Sequence, residues 1–434
     1  MAEAEGRVRL GGRILPLARL RENAAEYAAL FARAKAEVGH AECLCQDPTL
    51  RLVIRCSRSA GRYHLAGWPG DGERHEAACP FHKLAPGLSG REAYSAEAIR
   101  EGENGVSIRL DRVLARSLTE PPAAKTSGEH QEGGRARRTV GLLGLLHWLW
   151  EESQLTAWHP RWRRRNWWIC HARLCEQIEG CSINQDPASA TLHIVPPFHP
   201  DTAERTTAAF EAFKARLGRH GLKEYRGLML GEIKSVTPTQ YGVRFALAHQ
   251  RAPLYASTAL HQRVARSYRS AFAEAAGEQD ARRVGLFLVE LSPKGHLNII
   301  DMAAMLVNRL YIPADSSHEV AMGNALAASG RAFVKPVRYD GTDAVFPDFV
   351  VTDVTPHAYV EVYGIRGRES YDQRKRVKQA YYQGRGAHLI EWDVAEPMPD
   401  LSLPGVGWPR RHAQGVSPGG RPTPGQKDTP SPRG

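Results

Sequence analysis

Apolar residues recur at helical spacing through residues 19–38 and predict an amphipathic helix there. Residues 50–56 and 61–67 then alternate like strands about a short turn, which predicts a β-hairpin. From about 119 to 138 the periodicity disappears into Pro-Pro, Gly-Gly and scattered charge, the pattern of a linker. A helix-rich, aromatic segment starts at Thr139. Beyond Gly180 strands (190–195, 227–232, 241–248, 283–290 and 296–300) alternate with helices (203–217 and 257–275), which predicts an α/β or α+β block.

The C-terminal third reads as an ordered series. A helix opens at Ser316 and runs to Ser329; strands follow at 331–338, 346–351 and 358–363; a helix at 371–383 and a strand at 388–392 close it. The order is α-β-β-β-α-β. Past Pro397 the chain is Pro, Gly and Ser with almost no apolar material, so residues 397–434 are expected to be disordered. The domain plan is then an N-terminal helix and hairpin module (1–118), a linker (119–138), a middle region (139–310), a C-terminal domain (311–396) and a tail. The expected fold class is multidomain α+β or α/β.

A length of 434 residues, 42% of them hydrophobic and 24% charged, suits a soluble chain of two or three domains. The net charge of +11, carried mostly by Arg, favours polyanions and DNA in particular. The start, Met-Ala-Glu-Ala-Glu-Gly-Arg, lacks the apolar core of an export signal, and the run 140–150 is far short of a membrane span. Seven cysteines in paired spacings suit a reducing cytoplasm, with thiols as metal ligands or core residues.

Cys43-Leu-Cys45 precedes the hairpin and Cys79-Pro-Phe-His82 follows it. Together they offer four soft ligands for a tetrahedral zinc, with His75 and His64 as substitutes for His82. Four protein ligands leave no open position, so such a zinc would be structural. The set resembles SWIM-type zinc modules in its Cys-x-Cys opening, but it ends in Cys-x-x-His and has a longer spacer. Cys170, Cys175 and Cys181 read better as core thiols.

Six of the nine tryptophans lie between Trp148 and Trp168. The stretch ends in Arg161-Trp162-Arg163-Arg164-Arg165-Asn166-Trp167-Trp168, where phosphate-binding guanidinium groups are interleaved with indoles able to stack on bases. Either these residues form a nucleic-acid surface, or the tryptophans fill a helical core beside a solvated basic turn.

Asp348 and Glu361 each interrupt an apolar strand. An unpaired buried carboxylate costs several kcal/mol, so a metal, a Lys or hydrogen-bond donors must compensate. Two acids on neighbouring strands can share a Mg²⁺ that activates water against a phosphodiester. Glu319 follows Ser316 by three residues, which makes it either a capping-box acid or a further site acid. On the helix at 371–383, Tyr371, Lys375, Lys378 and Tyr382 share a face.

The element order, Pro347-Asp348 and Glu361-Val-Tyr363 together resemble the PD-(D/E)XK, restriction-endonuclease-like superfamily over 312–394. That resemblance implies a metal-dependent nuclease in which Asp348 and Glu361 hold Mg²⁺ and Glu319 is an accessory acid. Tyr363 stands where the superfamily has Lys. A cation from the following helix would then serve, Lys375 first, with Arg374 and Lys378 behind it; otherwise catalysis is lost. Most of the chain is also similar to a bacterial domain-of-unknown-function family, DUF1173, carried on plasmids and integrative elements. This rests on Cys43-x-Cys45, Gly144-Leu-Leu-His-Trp-Leu-Trp-Glu151, Pro347-Asp-Phe-Val-Val351, Glu361-Val-Tyr-Gly364 and Tyr371-Asp-x-Arg-Lys375. It implies a role in mobile-element DNA processing.

The expectation is therefore a Mg²⁺-dependent DNA nuclease with a structural zinc. The alternatives are an inactive, DNA-binding relative of it, or a scaffold whose zinc module recruits a protein partner of the mobile element.

Overall fold

The structure, a computed structural model, describes residues 6–57, 62–76, 79–84, 88–95, 97–102, 105–117, 137–162, 164–273, 280–339, 346–364, 378–379, 382 and 388–402. It is a mixed α+β assembly in which sheets, rather than long helices, carry the connectivity. The predicted linker falls almost wholly outside the described residues.

At the N-terminus a five-stranded antiparallel sheet is ordered Arg13–Pro16, Arg7–Leu10, His40–Cys43, Leu50–Ser57, Arg62–Gly67. The expected hairpin is present, with Ile54 opposite Leu65. The expected helix at 19–38 is instead two, Leu17–Glu22 and Ala28–Glu37. Asn23, a residue whose side chain competes with helical hydrogen bonds, ends the first at φ −120°, and the turn after it buries Ala24.

The middle region is built around a ring of strands. Gly227–Thr239 pairs with Gly242–Leu247, which pairs with Leu254–Ala256. Leu254–Ala256 runs parallel to Leu297–Asn308, which is antiparallel to Ala281–Leu291, and this last strand returns to Gly227–Thr239. The five strands close into a barrel. Alternation along them separates two cores. Met229, Phe245, Leu254, Phe287 and Ala304 fill the inside. Leu228, Leu230, Leu286, Leu288 and Ala303 face outward onto the helices Leu142–Glu152 and Trp167–Ile178. The helix expected at 257–275 is broken at Tyr268 into Thr258–Ser267 and Arg269–Phe272.

Trp148, Trp150 and Trp167 fill the layer between barrel and helices, and their burial is a large stabilising contribution. Two of the indoles also donate to backbone carbonyls: Trp150 Nε1 to Tyr311 O at 2.9 Å and Trp167 Nε1 to Val195 O at 2.8 Å.

The C-terminal sheet is ordered His388–Asp393, Ala358–Tyr363, Phe349–Val351, Phe333–Val334, Ala157–Trp158. Its first pair is parallel and the others antiparallel. The helix Ser317–Ala328 lays Met322 and Leu326 against Phe333, Phe349, Val360 and Ile390. Of the expected second helix, only Lys378, Gln379 and Tyr382 lie among the described residues, all three helical. The expected disordered tail starts too early at 397, because Leu401 is buried in this core.

Gly90 joins the N-terminal module to this sheet. Its N–H donates to Val337 O at 3.0 Å, and a Cβ there would lie 2.6 Å from the Arg338 carbonyl carbon. Gly90→Ala should therefore force the two segments apart and cost about 1–3 kcal/mol. A denaturant midpoint equal to that of the unsubstituted protein would show that this approach is not a constraint.

Candidate functional site

Asp348 sits one residue before the Phe349–Val351 strand, and Glu361 lies in the facing strand. Asp348 N donates to Val360 O at 2.9 Å, and Val362 N donates to Asp348 Oδ2 at 2.8 Å. The acid is thus held across the pair by two backbone bonds. Glu361 is 1% exposed and Asp348 7%. Their surroundings meet the electrostatic requirement with lysines. Lys378 Nζ donates to Glu361 Oε2 at 2.6 Å and to Phe346 O at 3.1 Å, while Tyr382 OH donates to Glu361 Oε1 at 3.2 Å.

On the neighbouring strand's extension, Lys335 is almost fully buried. Its Nζ lies 2.8 Å from Glu319 Oε2, 3.0 Å from Asp315 Oδ2 and 4.0 Å from Asp348 Oδ1. Ser316 Oγ accepts from Glu319 N at 3.2 Å and Glu319 Oε2 accepts from Asp315 N at 3.0 Å. Ser316 thus caps the helix through Glu319 N, while the Glu319 carboxylate reaches Asp315 N, one residue before the cap, and pairs with Lys335.

One ammonium serving three carboxylates leaves a surplus of negative charge. Burial, with Asp348 and Asp315 nearby, pushes the Glu319 carboxyl up to about 8 despite Lys335. Asp315, at the exposed rim, is held below its usual range by Lys335, and the three acids hold Lys335 charged. Burial followed by the Asp348 charge pushes Glu361 up to about 7, against the pull of Lys378. Tyr363 is buried and its phenol raised, first by burial and then by Glu361. It brings no positive charge to the place where a Lys would stand.

The sequence singled out Lys375 as the helical amine. Lys375, Arg374 and Tyr371 lie outside the described residues, and Lys378 is the described amine that reaches Glu361. Lys335 and Asp315 were missed altogether. The signal was present: Lys335 interrupts the apolar run Ala332-Phe-Val-Lys-Pro-Val337 just as Asp348 and Glu361 interrupt theirs.

The N-terminal ligand set assembles with one exchange. Cys43, Cys45, His75 and Cys79 place their donor atoms all within 4.8 Å of one another. Cys43 Sγ lies 3.5 Å from Cys79 Sγ, and His75 Nδ1 lies 3.2 Å from Cys45 Sγ and 3.5 Å from Cys79 Sγ. Such a set could hold a metal such as zinc. His82, the expected fourth ligand, is turned away: its Nδ1 donates to His75 O at 3.0 Å, orienting the loop that carries the ligand. His64 is buried, and that burial pushes it down to about 3. Among the described residues no other such group of three or more donors occurs, so Glu319, Asp348 and Glu361 do not converge this tightly.

The tryptophan and arginine stretch is mostly structural. Trp162 is buried, and Arg165, 7% exposed, donates to Leu155 O at 3.2 Å and to Gln154 O at 3.4 Å. The guanidinium lies 5.2 Å from the centre of the Trp162 ring. Neither residue is open to nucleic acid, which corrects that expectation for this pair. Arg164 is exposed and Arg163 lies outside the described residues. Cys170 and Cys181 are buried core thiols, as read, and Cys175 is half-buried against His171.

A family model described as "Protein of unknown function (DUF1173)" matches residues 15–394. No curated protein and no solved structure matches. Among the described residues no helix is long and apolar enough to cross a membrane.

Two measurements test these sites. The purified chain should carry about one equivalent of tightly bound metal. His75→Ala should lose it and His82→Ala should keep it; retention after His75→Ala would exclude the ligand set. The second is stability against pH without added divalent ions. Glu319 and Glu361 hold their protons more tightly folded than unfolded. The stability this lends is complete below about pH 4.5 and is lost as the pH rises through about 7 to 8. Glu319→Gln should decline less steeply across that window, and a decline parallel to the unsubstituted protein would contradict the assignment.

Proposed function

The chain belongs to the DUF1173 family, and we propose that its C-terminal sheet is a restriction-endonuclease-like site for Mg²⁺-dependent cleavage of DNA. One observation carries the reading: Lys378, from the element after the Glu361 strand, meets Glu361 at 2.6 Å beside Asp348. That arrangement answers the missing lysine at Tyr363 with an amine from the following helix. The mixed sheet supports it: the helix Ser317–Ala328 precedes three antiparallel strands, a parallel strand follows them, and Lys378, Gln379 and Tyr382 are helical between the last two.

The donor set is chemically suited to the ion. Asp348 and Glu361 offer hard oxygen ligands, which Mg²⁺ requires, and burial followed by the neighbouring Asp348 charge pushes Glu361 up to about 7. Bound there, Mg²⁺ would polarise a phosphate and lower the pKa of a water. Glu319 and Lys335 act on Asp348 from behind, as positioning residues. Lys378 stabilises the charge developing on phosphate. Tyr382 fixes the second oxygen of Glu361. The Cys43, Cys45, His75 and Cys79 set is a structural zinc centre in this reading. The setting is the cytoplasm, with the DNA of a plasmid or integrative element as substrate.

A second reading is favoured by one feature. Both lysines are already engaged by carboxylates, so the cluster is electrostatically closer to complete without an ion, as in an inactive, DNA-binding relative.

Purified protein incubated with single- and double-stranded DNA and Mg²⁺ separates the two. Cleavage should depend on Mg²⁺, fall about 100-fold or more in Asp348→Ala and fall about 10- to 100-fold in Lys378→Ala. Equal cleavage by Asp348→Ala and unsubstituted protein would remove the enzyme reading. DNA binding without any cleavage would establish the second.

A further inference from the structure

The central barrel has a distinctive strand order. Numbered along the chain, its strands are Gly227–Thr239, Gly242–Leu247, Leu254–Ala256, Ala281–Leu291 and Leu297–Asn308. They close in the order first, second, third, fifth, fourth and back to the first. The third and fifth are parallel and every other pair is antiparallel. The long first strand carries an irregularity between Ile233 and Ser235, where its partner changes from the fourth strand to the second. The helix Thr258–Ser267 lies between the third and fourth strands and sends Leu260 and Val264 into the barrel interior. This connectivity is that of the OB barrel, whose second and third strands and flanking loops form an oligonucleotide-binding face.

That face is distinct in this chain. The outer surface of the first, fourth and fifth strands is covered by the tryptophan-bearing helices. On the second and third strands Val243, Phe245, Leu254 and Ala256 point inward, so Arg244 and Tyr255 point out; they are direct partners in the ladder and half-buried. Tyr255 packs edge-on against His296, ring centres 5.5 Å apart, in the loop between the fourth and fifth strands. Tyr241, at the turn between the first and second strands, is 90% exposed.

The charge is one-sided. Between Ile233 and Ala273 the chain has no Asp or Glu and six Lys or Arg. Among the described residues Arg244, Lys234 and Lys294 have no acidic partner. Cations without acidic partners beside the half-buried Tyr255 and the exposed Tyr241 complement a strand that has accessible bases and a continuous phosphate backbone, and a duplex hides the bases.

We propose that this face binds single-stranded DNA, with Tyr255 and Tyr241 stacking on bases and Arg244 and its neighbours tracking the phosphates. The proposal is independent of cleavage at Asp348 and Glu361, and its test excludes divalent ions. Fluorescence anisotropy of the full chain with a labelled single-stranded DNA of about 20 nucleotides reads it, beside the same sequence as duplex and as RNA. Single-stranded DNA should bind most tightly, with affinity falling steeply as salt rises. Tyr255→Ala should weaken it about tenfold, Arg244→Glu by more, and Tyr241→Ala several-fold. Tyr241 makes no packing contribution that could unfold the chain, so its variant keeps the test sharp even where Tyr255→Ala lowers stability. Duplex or RNA bound as tightly as single-stranded DNA, or all three variants within twofold of the unsubstituted protein, would overturn the assignment.

Discussion

A single desolvated ammonium organises the C-terminal half. Lys335 has almost no contact with water, yet it stays charged because Glu319, Asp315 and Asp348 surround it. Removing one member of such a cluster leaves uncompensated charge and typically costs about 3–5 kcal/mol. The same residue is tied through its backbone: Lys335 N donates to Thr156 O at 2.9 Å, beside the edge strand Ala157–Trp158. Two residues on, Val337 O accepts from Gly90 of the N-terminal module. Four parts of the chain therefore meet along Phe333–Arg338: the helix bearing Glu319, the strand pair with Asp348 and Glu361, the aromatic middle and the N-terminal module. The charges of Glu319, Asp315 and Asp348 are balanced from this one segment, and that of Glu361 from Lys378.

The acids on the middle helix reinforce that junction. Glu152 accepts from Lys83 at 2.7 Å and from Arg91 at 3.2 Å, and Glu151 accepts from Ser89 at 2.9 Å and from Tyr339 OH at 3.0 Å. Glu151 and Glu152 thus join the N-terminal module to the segment after Lys335 through partly buried hydrogen bonds. Such groups are costly if left unmatched, so they specify one docking arrangement more than they add stability. The Leu142–Glu152 helix does two tasks with one sequence: its tryptophans face the barrel and its terminal acids face the junction.

Local pattern was legible where the packing partner is near in sequence. The strand Ala358–Tyr363, the helix from Ser317 and the hairpin of Leu50–Ser57 with Arg62–Gly67 lie where alternation and capping residues put them. What could not be read is set by distant contacts. The barrel's first strand continues to Thr239 through Thr-Pro-Thr, which has no apolar alternation, because Gly242–Leu247 supplies the ladder. Closure by pairing of Gly227–Glu232 with Val284–Val289 is a tertiary fact with no local signature. The choice of His75 over His82 turns on which ring nitrogen a loop aims inward, and both histidines sit equally well in the sequence. Trp162 and Arg165 carried a genuine ambiguity, and burial settles it in favour of packing.

The Cys/His cluster has contacts that lead beyond its own module. The N-terminal sheet has a small core, in which Cys43 and Cys79 are themselves buried members. A core of that size gains much of its folding free energy from a bound metal when one is present. His75 belongs to the donor set; His82 donates to His75 O, and Gln154 Nε2 donates in turn to His82 O at 3.1 Å. Gln154 also offers its carbonyl to Arg165, whose guanidinium lies against Trp158 and Trp162. Trp158 belongs to the edge strand paired with Phe333–Val334. The Cys/His loop is thus linked, by three hydrogen bonds and then the contact of the Arg165 guanidinium with Trp158, to the strand next to Lys335.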